Sequence, residues 1–303
     1  MPTLGRMRSH PDRIGTDARR KVNTMGFAAD PSLAPGPAGS WPAAVELGLV
    51  DPAAAALGVA DATEVRPLPR SGTGQLGVVT ALQAEADCLR QFSEGGAPLI
   101  YVSGGSVLRA RAGVEELREM GVVGLVSFGL AVGLAPVLRP GDVVVAESVV
   151  LPSGKSIPTD ATWRTALLQR LGGSGLKVRV ARIAGSDELL TSAVAKRRAF
   201  QTTFAAALDT DSHAVAEVAA AAGLPLLVVR AVAEPAEEMR PAIAFAANGA
   251  DGQPRSLAMV GHLAKRPWEI PAAWRFSKNG RLALDALRRV AGVGPGPFAI
   301  RAI

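Results

Sequence analysis

The stretch LDTDSHAVAEVAAAAGLPLLVVRAVAE, residues 208–234, decides how the chain folds. A crowded polar start opens an Ala- and Val-rich segment that reads as a helix from about residue 212 to 222. The Gly-Leu-Pro that follows stops it, since glycine accepts a helix-ending conformation and proline cannot continue one. The apolar run LLVVRAVA is then short, bounded by proline and an acid, and reads as a strand.

The same texture extends outward in both directions. Upstream lie the strand-like run VRVARIAG, a helix near residues 162–171, and RPGDVVVAESVV, where a Pro-Gly-Asp turn launches a valine-rich strand. Before these come VVGLVSFG, a helix over about residues 106–120, PLIYVSGG, and GVVTAL with a helical turn or two after it. Strands alternating with helices predict an α/β fold: three layers, a mainly parallel or mixed twisted sheet, and helices on both faces. Sheets of this kind bind ligands where the strands end and the loops gather. That directs attention to residues 83–85, 103–105, 129–133, 186–190 and 233–234.

Composition narrows the function. With 303 residues and 48% hydrophobic content the chain can build a large core, yet no apolar run reaches the roughly 18 residues of a membrane span. No apolar segment follows the early arginines as in a secretory signal, so the expected location is cytoplasmic. The lone Cys88 excludes an internal disulfide, and His10, His213 and His262 lack metal-ligand spacing. No metal and no cofactor are expected. The net charge of +6 comes from residues 252–303, where nine Lys and Arg face two Asp and Glu. The central region lacks the aromatic and basic interleaving of a nucleic-acid binder, so no nucleic acid is expected as partner. Residues 1–74, rich in Ala, Pro and Gly, read as a low-complexity, disordered extension; 75–251 as the α/β domain; 252–303 as a basic helical tail.

Two glutamates, Glu85 and Glu234, each follow an apolar run and so share one rim, with Asp211 at a helix start nearby. Carboxylates gathered in a cleft repel one another, and desolvation raises at least one pKa. One acid and one base is what cleavage of a glycosidic bond through an oxocarbenium-like transition state needs. The turns SGGSVLRARAG and SFGLAVGL match neither a dinucleotide nor a triphosphate motif.

In this order, GVVTALQAEAD, VSGG, VSFGLAVGLAPVLRPGDVVVAESVV, GSDELLT and LDTDSHAVAEV with LPLLVVRAVAEPA resemble the purine and uridine nucleoside phosphorylase superfamily. The similarity is greater to its methylthioadenosine and S-adenosylhomocysteine nucleosidase branch. PSGKSIPTDATWR, SHAVAEVAAAAGLP and the basic tail are similar to the nucleosidase-like proteins of hopanoid biosynthesis, thought to act on adenosylhopane. The resemblance implies that Glu85 deprotonates the attacking water and Glu234 protonates N7 of the leaving adenine. It places Asp211 on the ribose hydroxyls and Thr210 beneath the sugar. Ser103, Gly104 and Gly129 fall on its ligand-facing loops, and Leu189 and Leu190 on its base-contacting loop. Glu234 stands where the family usually has an aspartate, and Asp211 where it usually has a glutamate. Ser127 fills the central position at which phosphorolytic members carry an arginine, so hydrolysis is favoured; Arg109 and Arg111 leave phosphate open as a co-substrate. The implied partner is an adenosyl compound that a lipid can carry, and a homodimer is compatible with the family. The tail joins Lys265, Arg266, Arg275, Lys278 and Arg281 to Trp268 and Trp274, which suits peripheral contact with an anionic membrane. The competing reading is a non-catalytic nucleoside-binding protein.

Overall fold

The computed structural model describes residues 74–92, 97–246, 252–253, 256–293 and 298. The extension expected over residues 1–74 lies outside these, apart from Gly74.

Strand β1 (Leu76–Thr80) runs into a short helix α1 (Gln83–Ala86), and β2 (Leu99–Val102) into α2 (Val107–Glu119). Next come β3 (Gly124–Gly133), β4 (Val143–Val150), β5 (Ser156–Pro158), α3 (Ala161–Leu171), β6 (Val178–Gly185) and α4 (Ala193–Thr203). Strand β7 (Ala207–Asp209), α5 (Ser212–Ala222) and β8 (Leu226–Glu234) follow. The described chain ends with α6 (Ile243–Ala246), α7 (Ser256–Lys265) and the long α8 (Ile270–Ala291).

Among the described residues the sheet has eight strands and is mixed. β2, β1, β3 and β8 are parallel neighbours, whereas β8 meets β4, and β7 meets β3, in antiparallel register. Because β4 also pairs with β6, and β6 with β7, the strands β3, β8, β4, β6 and β7 form a closed ring. Closure removes the open edges that these strands would otherwise present.

The two larger of three apolar clusters among the described residues flank the sheet, and the two-residue period of a strand sorts side chains between them. Val79, Leu125, Val144 and Val228 join the core under α2 and α5. Their neighbours Val78, Val126, Val143, Val145, Leu227 and Val229 join the core under α3 and α8. Strands buried on both sides explain the continuous apolar runs in the sequence. On the second side Trp163 is fully buried and donates its indole N–H to the carbonyl of Phe298 at 2.9 Å. Phe298 meets Phe128 edge to face, with ring centroids 5.2 Å apart. The basic C-terminal segment is therefore half core: Ala283, Ala286, Leu287, Val290 and Ala291 of α8 are buried.

The sequence expectation differs from the fold at four elements. Residues 129–133 are the second half of β3 and not a loop after it. Strands β5 and β7 have only three residues each, too few to show a period, and the Lys- and Arg-bearing α4 gives a weak apolar stripe.

Candidate active site

At or just past the carboxyl ends of β1, β7 and β8 the chain places buried acids. Glu85, in α1 just past β1, is 1% exposed. Its Oε2 accepts from the backbone N–H groups of Ala81 and Leu82 at 2.7 and 2.9 Å, and its Oε1 from Leu130 at 2.8 Å. Burial pushes the carboxyl above its ordinary value, while Arg230 and these three amides pull against the rise. Gly129 is what allows the approach: a Cβ there would lie 2.5 Å from Arg230 Nη1 and 2.7 Å from the Glu85 carboxylate.

Asp211 is also 1% exposed and takes the Ser103 hydroxyl on Oδ1 at 3.0 Å. Burial raises its pKa to about 7, Arg230 opposing and Asp209 and Glu85 adding to the rise. Ser103 in turn accepts from the N–H of Gly105 at 3.1 Å, in a turn where Gly104 and Gly105 have φ of 69° and 75°. Such values suit glycine, so the SGG motif is a backbone requirement of this turn. Thr210 is buried beside it.

The surplus of oxygens before α5 is explained by Asp209. Its Oδ1 accepts from the N–H of both Asp211 and Ser212 at 2.7 Å, and its Oδ2 from the Ser212 hydroxyl at 2.6 Å. Asp209 is thus the residue that satisfies the start of the helix. The same carboxylate pairs with buried Arg230 at 3.1 Å, and Arg230 Nη2 also reaches Ser127 at 2.5 Å and Ser212 at 3.1 Å. Arg230 is missed by sequence reasoning, although an arginine inside LLVVRAVA is a visible irregularity in an otherwise apolar strand.

Glu234, 7% exposed, ends β8. Arg240 Nη1 lies 2.9 Å from its Oε1 and Lys196 Nζ 3.8 Å from its Oε2. Burial raises its pKa, with Arg240 and Lys196 pulling it down. The loop bearing Leu189 and Leu190 adjoins this end, because the Arg240 N–H donates to the Thr191 carbonyl at 2.9 Å. Both leucines are partly buried against Leu134, Ala184, Ala199, Ala205 and Leu208. A cleft of about 700 Å³ lies between residues 233–242 and the first turns of α8, lined by Glu234, Met239, Arg240 and Phe276 among others.

The structure therefore links Glu85, Gly129, Ser103 and Asp211 in one cluster and sets Glu234 in a second, cation-lined one. His213 turns aside to Asp187, Nε2 to Oδ1 at 3.1 Å. Arg109 donates to the Val102 carbonyl at 3.1 Å, and Arg111 pairs with Glu217 of α5. Cys88 is buried and its thiol is pushed up to about 11. Among the described residues no group of three or more His, Cys, Asp or Glu could hold a metal ion.

A mixed sheet covered on both faces, with buried acids at its strand ends, is the architecture of nucleosidase- and nucleoside-phosphorylase-like enzymes. The chain belongs to the phosphorylase superfamily, whose model matches residues 59–265. Its fold is similar to futalosine hydrolase of Helicobacter pylori, with a TM-score of 0.54 at 15% identity over 72% of this chain and 97% of that one. It is similar as well to the 5′-methylthioadenosine/S-adenosylhomocysteine nucleosidase of Neisseria meningitidis in complex with methylthio-immucillin-A. There the TM-score is 0.56 at 16% identity, over 71% of this chain and 96% of that one. The corresponding nucleosidase of S. pneumoniae gives 0.53 at 15%, over 71% and 97%. Sequence comparison with curated proteins gives no significant match.

Proposed function

We propose that the chain cleaves the N-glycosidic bond of an adenosyl substrate, releases adenine, and takes as substrate a lipid-linked adenosyl compound such as adenosylhopane. The observation that carries this reading is that Glu85, Asp211 and Glu234 are buried at one rim, where Glu85 and Asp211 share the field of Arg230. In this reading water attacks the anomeric carbon and gives its proton to Glu85, which burial makes more basic than an ordinary glutamate. The C–N bond breaks, and Glu234 protonates the departing base. Asp211, held by Ser103, takes the ribose hydroxyls; Thr210 lies beneath the sugar; Gly104 and Gly129 allow close approach; Leu189 and Leu190 flank the base.

Hydrolysis is preferred to phosphorolysis because Arg230 is committed to Asp209, Ser127 and Ser212, and Arg111 to Glu217. Residues 75–251 carry the chemistry, and 252–303 place the enzyme at an anionic membrane surface. A second reading, cleavage of methylthioadenosine or S-adenosylhomocysteine, draws support from the fold neighbours.

Incubation with adenosylhopane, methylthioadenosine and S-adenosylhomocysteine, with and without phosphate, and chromatography of released adenine tests all of this. Release from adenosylhopane without phosphate is the expected outcome, and no release from any of the three sinks the catalytic reading. The paired change Asp211→Glu with Glu234→Asp lowers the rate by roughly 100-fold if the site is tuned to its present acids, since ~1 Å of misplacement costs that much. A gain from an inactive wild type instead identifies a binding protein with a lapsed site.

A further inference from the structure

The second cluster holds a group that the proposed chemistry does not use. Lys196 of α4 is fully buried, with no exposed surface. A buried ammonium is costly unless each of its protons is placed. Two are: Nζ donates to the carbonyl of Pro235 at 3.1 Å and to that of Glu238 at 2.7 Å. These carbonyls belong to the turn directly after Glu234, so Lys196 ties α4 to the segment that aims the carboxylate. The third faces Glu234 Oε2 across 3.8 Å, beyond hydrogen-bond reach, and that buried oxygen has no hydrogen-bond partner. The other oxygen, Oε1, is held by Arg240 at 2.9 Å.

We infer that Lys196 is a positioning residue for Glu234: it pins the turn after β8 and supplies a fixed positive charge that governs when the open Oε2 carries a proton. The inference rests on the reading of Glu234 as the acid toward the leaving base. An acid in this place needs a proton to give and an unencumbered oxygen to give it from. Oε2 meets the second need because the ammonium stands too far off to bond it and too near to be ignored electrostatically. Burial favours the neutral carboxyl, and Arg240 and Lys196 favour the ionised one, with Glu238 opposing them. Lys196 itself is pushed down by burial and held up by Glu234 and Glu238. The other charged groups lining the adjoining cleft are Glu237 on the same loop and Glu269 and Arg275 at the start of α8. A cation 4–6 Å from a carboxylate lowers its pKa by roughly 1 to 3 units, so removing it raises the midpoint by that amount.

The test uses the full chain with 13C-labelled glutamate, the Glu234 carboxyl signal being assigned by its loss in Glu234→Gln and titrated by NMR. Lys196→Gln keeps donors for the two carbonyls and removes the charge; Lys196→Arg keeps the charge. The expected result is a Glu234 midpoint higher by about 1 to 3 pH units in Lys196→Gln, little changed in Lys196→Arg, with the basic limb of any adenine-release profile moving the same way. An unchanged midpoint in folded Lys196→Gln overturns the inference. Lys196→Met, measured in parallel, must move the midpoint in the same direction, and no movement in it counts equally against the inference. The titration does not depend on turnover: full adenine release by Glu234→Gln removes Glu234 as the acid while the midpoints still decide the role of Lys196.

Discussion

At the scale of single residues, Asp211 carries the clearest pH consequence. Its carboxyl is raised from 3.8 to about 7 by burial, so the folded protein holds a proton there that the unfolded chain has already released. Stability therefore falls as pH rises between those two values, because the native state binds the extra proton. Over the interval this amounts to a loss of the order of 4 kcal/mol. Asp211→Asn retains an acceptor for Ser103 and cannot ionise, so the difference in unfolding free energy between variant and wild type should widen by about that amount. Urea unfolding of both proteins across the interval measures it, and parallel curves contradict it. Gly129 makes a steric prediction at the same scale. The methyl of Gly129→Ala would intrude on Arg230 and Glu85 inside a sheet that cannot relax easily. Such overpacking costs about 1 to 3 kcal/mol and should depress adenine release along with the melting temperature.

At the scale of elements, Asp209 joins a helix start to a strand. It satisfies the first N–H groups of α5 and neutralises Arg230 of β8, two duties that alanine cannot perform. Breaking a buried pair from one side leaves the other charge uncompensated, at about 3 to 5 kcal/mol. Asp209→Ala should lose at least that in urea unfolding, whereas Ser212→Ala, which leaves the ion pair in place, should lose far less. The strands plainest in the sequence were those buried along most of their length, since an unbroken run such as LLVV or VVVA has few alternatives to a central strand. Glu85 and Glu234 were legible as strand-end acids for a like reason, since the run ends and an acid follows, whereas Asp211 stood out at the start of a helix. What stayed hidden were groups whose partners are distant in sequence. Lys196 stands in AVAKRRAFQTT beside two arginines and looks like one more solvated cation, and only the carbonyls of Pro235 and Glu238 reveal it as core. Asp209 likewise declares its role only when Arg230, 21 residues on, is brought beside it.

At the scale of the whole molecule the C-terminal helices present two unlike faces. One face of α8 is built into the core; the other exposes Ile270, Trp274 and Leu282, and the turn before it exposes Trp268 at 72%. Lys265, Arg266, Arg275, Lys278 and Arg281 are exposed on the same elements, with Lys278 Nζ 5.4 Å from the centre of the Trp274 ring. Glu269 is drawn into pairs with His262 and Arg266 and does little to offset the remaining charge. No helix among the described residues is long and apolar enough to cross a membrane, and the contact proposed for residues 252–303 is attachment to the surface. Tryptophans at the headgroup level with cations around them are suited to that, each Lys or Arg adding about 1 kcal/mol on anionic lipid. The purified protein should therefore sediment with phosphatidylserine vesicles at low salt, release as salt is raised, and ignore phosphatidylcholine vesicles. Replacing Lys278 and Arg281 by Gln should weaken binding roughly 30-fold, because two such contributions amount to ~2 kcal/mol. Trp268→Ala with Trp274→Ala should weaken it while leaving the melting temperature in place, both side chains being exposed. Binding that is indifferent to lipid charge and to both pairs of changes would mean that this face serves no membrane, and that a lipid-linked substrate must reach the Glu234 cleft by another route.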